Sequence, residues 1–191
     1  MMQSEKKKTF SKEENQTAEQ REKKHFSNIS KKLIDICKKA RGWKQILNGI
    51  DLNEIKRRED LSRIPITRKS DFPDIQKKLL PYGGFNTIDK NEFSYSFASP
   101  GPIYEPANTG DFWNMSSSLF SAGLRKKQLV YNTFNYHLGP AGIMMGNAAN
   151  NLGAVVIAGG IGNTDLQIDT ISELKPDFYI SRNGESLKSA P

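Results

Sequence analysis

Short apolar runs that alternate with longer amphipathic stretches constrain this chain more than any other feature. Strand candidates are Phe93–Ala98, Gln128–Phe134, Gly153–Ala158 and Asp177–Ile180, and helical stretches Asp111–Arg125, Pro140–Leu152 and Thr164–Leu174 lie between them. Strand, helix, strand repeated in this way favours a parallel sheet with right-handed crossovers. Ala154-Val155-Val156-Ile157 is apolar on both faces, the pattern of a buried parallel strand. The fold class is therefore α/β, a helical N-terminal region followed by a parallel β-α-β sheet. In such sheets ligands bind beyond the carboxyl ends of the strands. Three loops fall there by this reading: Ser99–Pro106, Asn135–Pro140 and Gly159–Thr164. They are expected to converge on one edge.

The helical part is read from periodicity and caps. Ser11 and Glu14 suggest a capping box for a polar first helix ending near Lys24. Phe26, Ile29, Leu33, Ile36 and Cys37 recur at three- and four-residue spacing, opposite Lys31, Lys32, Lys38 and Lys39. Trp43, Ile46 and Leu47 extend this patch to the Asn48-Gly49 turn. Asp51 with Glu54 marks a short capped helix. Ile64-Pro65-Ile66 is extended, because a residue before proline avoids the helical region. Thr67 or Ser70 then caps a helix to about Leu80. The expected organisation is a charged N-terminus over 1–24, partly disordered over 1–10, a helical entry region over 25–90 and an α/β subdomain over 91–191.

Charge and cysteine content narrow the function classes. The formal net charge is +7, and residues 1–80 hold 21 Lys/Arg against 12 Asp/Glu. Those cations alternate with acids at helical spacing and have no aromatic platform among them, so they read as a solvated helix surface rather than a nucleic-acid interface. One cysteine, Cys37, excludes an internal disulfide and fits a reducing, cytoplasmic compartment. Its place on an apolar helix face points to packing. No apolar h-region opens the chain, and the longest apolar-plus-Gly run, Ala154–Gly162, is too short to span a bilayer.

The motifs are individually modest. Ser99-Pro100-Gly101-Pro102-Ile103-Tyr104-Glu105-Pro106 lies after a strand candidate and before a helical stretch, the layout of a phosphate-cradling turn. Its prolines remove N–H donors, and Glu105 adds repulsion. Gly159-Gly160-Ile161-Gly162 is not a dinucleotide fingerprint, since it lacks the third Gly and the downstream acid. Asp165 and Gln167 could cap the next helix. His137, one of two histidines, ends a strand in a Gly/Pro loop, where it could pack, orient a ligand or act as a base. No Ser or Cys elbow with an Asp partner supports a triad, and no ligand spacing supports a metal site. No catalytic residue is assigned.

A resemblance runs through the chain in order from about Ser11 to Ile180. It is carried by Leu61–Asp71, Gln76, Pro81-Tyr82-Gly83-Gly84-Phe85, Ser99–Pro106, Asp111-Phe112-Trp113, Ala122-Gly123, Asn132-Thr133-Phe134, Tyr136-His137, Pro140-Ala141-Gly142 and Gly159–Gln167. With these the chain resembles a divergent branch of the phenylacetate–CoA ligases, AMP-forming enzymes of the adenylate-forming acyl-CoA synthetase superfamily. The resemblance implies the N-terminal domain of that fold. It implies activation of a small-molecule carboxylate by ATP, release of pyrophosphate and thioester formation with CoA, as in phenylacetate catabolism. It implies nucleotide contacts at Ser99 and Gly101, where the family's phosphate loop falls. Pro102, Ile103, Tyr104 and Glu105 there replace hydroxyl, Gly and Lys positions. It implies acyl-group contacts at Tyr136, His137, Gly139, Gly159, Gly160 and Gly162. Mg is expected in the family, but its ligands, the ribose-binding Asp and the lid Lys fall beyond residue 191, and Ser181-Arg182-Asn183-Gly184 departs from the pattern. The chain is thus expected to be an N-terminal fragment that does not complete the reaction alone. The alternatives are a non-catalytic binding or scaffolding subunit that pairs with a separate second half, or a truncated remnant. Neither a nucleic-acid nor a membrane partner is expected; oligomer formation is left open.

Overall fold

A computed structural model of the chain describes residues 9–181. The early residues up to 8 and the Arg182-Asn183-Gly184 departure lie outside the described residues. Two compact units emerge, one from Lys12–Ala107 and one from Asn108 onward together with residues 9–11.

In the Lys12–Ala107 unit, α1 (Ala18–Phe26) is capped by Thr17 and Gln20. The Thr17 hydroxyl accepts from the Gln20 N–H at 3.2 Å, and the Gln20 side chain accepts from the Thr17 N–H at 2.9 Å. The expected Ser11–Glu14 box gives way to this one, because Lys12–Asn15 forms a 3-10 turn instead. Helix α2 (Ile29–Lys39) has Leu33, Ile36 and Cys37 half-buried, while Lys31, Lys32, Lys38 and Lys39 are exposed, as the periodicity requires. After α3 (Arg41–Ile46), Asp51 caps a 3-10 turn by accepting from the Asn53 N–H. Neither Thr67 nor Ser70 caps α4 (Phe72–Lys78); a 3-10 turn over Lys69–Asp71 leads into it, with Pro73 in its first turn.

The larger departure follows. Tyr95–Ser99 and Ile103–Ala107 pair antiparallel as β1 and β2, with Ser99 opposite Ile103 and Phe97 opposite Glu105. The segment read as strand, loop and helix is a hairpin. Its three-residue turn, Pro100-Gly101-Pro102, is too short for a crossover and reverses the chain onto itself. Among the described residues β1 pairs with β2 alone, so Ser99–Pro106 is not an end loop of the parallel sheet.

The second unit holds that sheet. Strands β3 (Leu129–Asn132), β4 (Val155–Ala158) and β5 (Phe178–Ile180) run parallel in the order β4-β3-β5. Helix α5 is confined to Ser116–Ser121. The Asp111 carboxylate accepts the N–H groups of Met115 (2.7 Å) and Ser116, and so stands before the helix rather than in it. Gly123, at φ +110°, lies just past its end. Helices α6 (Ala141–Asn151) and α7 (Thr164–Leu174) lie close to expectation. Leu119, Leu124, Val130, Ala148, Ala149, Ala154 and Ile180 form the core. The buried strand is β3, where Val130, Tyr131 and Asn132 are buried, not β4: Val156 packs on the core, but Val155 on the opposite face is 59% exposed. With β3 on one side only, β4 is an edge strand among the described residues.

Candidate functional site

The site in the second unit is built at the carboxyl ends of β3 and β4. Asn132, the last residue of β3, is fully buried. Its amide donates to the Tyr136 hydroxyl at 2.7 Å and to the Gly142 carbonyl at 2.9 Å, while its oxygen accepts from the Phe134 N–H at 3.1 Å. Tyr136 is thereby folded back over the start of α6. A Cβ on Gly142 would lie 2.8 Å from its ring and 2.6 Å from the Asn135 carbonyl, so only glycine fits beneath it. Burial pushes the Tyr136 phenol above its ordinary value, and the Asn132 hydrogen bond partly offsets this. The hydroxyl is therefore a neutral, fixed group at neutral pH.

The β4 loop meets the β3 loop here. The Gly160 N–H donates to the Asn132 carbonyl at 3.1 Å. Gly159 is covered by the Tyr131 ring, which a Cβ would approach to 2.5 Å. Gly160 and Gly162 have nothing within 4 Å of a would-be Cβ, so the surface above them is open. Gln167, one turn into α7, donates to the carbonyls of Gly162 (2.5 Å) and Gly160 (3.3 Å). It holds the glycine loop rather than capping the helix, and Asn163 at the helix start makes no side-chain cap.

Of the residues singled out by sequence, Tyr136 and Gly160 are both held by Asn132, one through its side chain and the other through its carbonyl, while Gly159 lies against Tyr131. His137 lies further along the Tyr136 loop and is exposed; its N–H donates to the Asn135 side chain at 2.8 Å. Gly139 follows it before α6. Ser99 and Gly101 belong to the Lys12–Ala107 unit, at the hairpin turn. Sequence reasoning named Asn132 only as part of a resemblance; the signal for its role was an amide at the end of an apolar strand, four residues before a tyrosine.

The hairpin is where the resemblance places the phosphates of ATP. The Ser99 hydroxyl donates to the Glu105 carboxylate at 2.5 Å. Both backbone groups of Tyr104 are held by Gln76, N–H to Oε1 and Nε2 to the carbonyl, each at 2.8 Å. Pro100 and Pro102 have no N–H to offer. A polyphosphate needs cations or free N–H groups, and this turn presents a carboxylate. The residues present do not fit that group. Among the described residues no cluster of three or more His, Cys, Asp or Glu is placed to hold a metal, and no helix is long and apolar enough to cross a membrane.

The fold is similar to part of a solved CoA ligase. It superposes on 2-hydroxyisobutyryl-CoA ligase, solved in the postadenylation state with R3-HIB-AMP, with a TM-score of 0.77 at 17% identity, over 85% of this chain and 36% of that one. An open conformation of the same ligase, with 2-HIB-AMP and CoA, gives 0.73 at 18% identity, over 86% and 41%. In sequence the chain is phenylacetate–CoA ligase-like. It is 29% identical to the phenylacetate–coenzyme A ligase of Thermus thermophilus over 68% of its length, 28% identical to that of Aromatoleum evansii over 69%, and 31% identical to that of Pseudomonas putida over 64%. No protein-family model matches. The chain spans about 30% of the length of the Thermus relative and 31% of the Aromatoleum one.

Proposed function

We propose that this chain is the acyl-group-binding part of a carboxylate–CoA ligase, with a cytoplasmic location and an aryl or acyl carboxylate as its small-molecule partner. The observation that supports this reading is the junction of the β3 and β4 loops. There buried Asn132 holds the neutral Tyr136 hydroxyl through its side chain and the Gly160 N–H through its carbonyl, so the two loops meet at one residue, in a chain similar to phenylacetate–CoA ligases. Tyr136, His137, Gly139, Gly159, Gly160 and Gly162 wall the acyl site. Tyr136 orients the organic acid, the glycines admit it close to the backbone, and Tyr131 closes the site beneath Gly159. In the ligase reaction a carboxylate, ATP and CoA give acyl-CoA, AMP and pyrophosphate. The 191 residues alone do not complete it, because the hairpin offers a polyphosphate no cationic cradle.

Pyrophosphate release by the purified chain tests this directly, with phenylacetate, ATP, Mg²⁺ and CoA present. Release at the level of ordinary enzymes, about 1 per second or faster, contradicts the reading; release near background agrees with it.

A second reading is favoured by the exposed edge strand β4, where Val155 is 59% exposed while Leu166, Ile168 and Leu174 of α7 are also exposed. An open parallel edge is a template for pairing with another polypeptide. On this reading the chain is a binding or scaffolding subunit that docks a partner strand along β4. Co-expression of the chain with a polypeptide that carries the remaining part of a phenylacetate–CoA ligase tests it: co-purification that Val155→Lys abolishes supports docking along β4, and no co-purification, or co-purification unchanged by the lysine, rules it out.

A further inference from the structure

We infer that the Lys12–Ala107 unit contains a second ligand site, for an organic cation with an aromatic body, and that the Glu105 carboxylate is its anchor. Glu105 occupies an unusual place in the hairpin. Side chains alternate along a strand, and directly paired residues share a face. Glu105 therefore lies on the face of Ile103 and Ala107, opposite Phe97, and those three residues are buried. A charged group on such an apolar face is costly unless a partner meets it. Glu105 is half-buried, and the partner it has is the neutral Ser99 hydroxyl. Among the described residues no Lys, Arg or His forms an ion pair with it. Its negative charge is left for something from outside the chain.

Glu105 borders a pocket of about 570 cubic ångströms, within the range of small-molecule sites. Trp43 of α3, Phe72 and Gln76 of α4, and Phe85 after it supply other walls. The rings brace one another: Phe85 meets Trp43 edge-on at 5.5 Å and Phe72 at 5.2 Å. Gln76, 3% exposed, holds β2 through both polar groups of Tyr104, the residue before Glu105. The walls are thus formed before any ligand arrives, and little ordering cost opposes binding. Aromatic rings accept a flat apolar body, and their faces attract cations, so the rings and the carboxylate favour the same sign of charge. Lys69 is the other charged residue of the lining. It is exposed; its long stem lets the ammonium stay in water, where solvent and salt screen its repulsion. The inference stands on this unit alone and does not depend on the acyl site described above.

The test is a titration of the ¹⁵N-labelled 191-residue chain at neutral pH with 2-(2-naphthyl)ethylamine, 2-(2-naphthyl)ethanol and 2-naphthylacetate, which share a ring system and differ in charge. The chain has two tryptophans, Trp43 and Trp113, so a Trp113→Phe variant assigns the Trp43 indole signal. The amine is expected to shift that signal saturably and to bind about fivefold more tightly than the alcohol, the scale of one partly exposed ion pair. The acid should bind more weakly than the alcohol. Glu105→Gln keeps the shape and removes the charge, so amine and alcohol should then bind alike. Lys69→Gln should leave the preference for the amine in place. An unmoved Trp43 signal overturns the inference. So does an alcohol or acid that binds as tightly as the amine, a preference that survives Glu105→Gln, or one that Lys69→Gln abolishes. Where Glu105→Gln does not fold, the order of the three ligands on the wild type and on Lys69→Gln decides.

Discussion

Asn132 donates its side-chain amide to the Tyr136 hydroxyl at 2.7 Å, and this pair joins the central strand of the sheet to the loop that follows it. Asn132 is fully buried and also serves Gly142 and Phe134. Tyr136→Phe removes one bond of this set and leaves the amide its second acceptor. The expected loss is about 1 kcal/mol of stability, read by urea unfolding. Asn132→Leu leaves the half-buried Tyr136 hydroxyl and the Phe134 N–H without this partner and takes a second donor from the Gly142 carbonyl, so it should cost about 3 kcal/mol. Equal losses from the two variants would mean that Asn132 is not the organising member.

The glycine loop separates two physical constraints. Gly159 lacks room, because its Cβ would sit 2.5 Å from the Tyr131 ring. Gly160 lacks only the right backbone region, since φ is +67° in open space. Gly159→Ala should cost about 1–3 kcal/mol through overpacking, and Tyr131→Leu in the same chain should recover part of it. Gly160→Ala should cost about 1–2 kcal/mol through its positive φ, and Gly160→Asn less, as asparagine tolerates that region. Thermal unfolding of the set reads both effects.

Gln76 replaces a third strand for the hairpin. Its two 2.8 Å bonds to Tyr104 tie β2 to α4 across 28 residues of sequence. Gln76→Leu should cost about 2 kcal/mol. It should also raise hydrogen exchange at the Tyr104 amide selectively over the amides of α6, where a purely global loss would raise both alike.

The pH dependence follows from groups whose shifts have opposite signs. Asp60 accepts the N–H groups of Lys56 and Arg57, and these, with the Arg57 and Arg63 guanidinium groups nearby, hold its carboxyl below the usual 3.8. Its contribution is present above that value and is lost as pH falls through the lower folded value. Burial raises the phenols of Tyr131, Tyr136 and Tyr179 above 10.0. Their contribution is full below 10 and is lost as pH rises through the folded values. Stability should therefore decline at both ends. Asp60→Asn should flatten the acid limb, and Tyr136→Phe the alkaline one.

The parallel sheet was legible because its strands are continuous apolar runs and its helices α6 and α7 have clear ends. The hairpin was not, because Ile103–Ala107 holds a proline and a glutamate, poor strand formers by composition; it is a strand only through its pairing with β1 and the Gln76 clamp. The edge position of β4 was hidden for a related reason. Val155 and Val156 read alike in sequence, yet one meets the core and the other faces outward. At the site, Tyr136 and the glycines were named through the resemblance, helped by their position after strands. Gln167 was read as a cap, since one-dimensional spacing cannot show that its amide points back at the carbonyls of Gly160 and Gly162. The pocket around Trp43, Phe72 and Phe85 draws on four distant stretches and left no local signal.

The most direct test of the acyl-site reading is a ¹⁵N titration of the chain with phenylacetate, with wild type and Tyr136→Ala side by side. The account predicts saturable shifts at Gly159, Gly160, Gly162 and the Asn132 side-chain amide in the wild type, and their loss in Tyr136→Ala. Silence at those four positions in the wild type, or shifts that persist unchanged without Tyr136, would contradict it.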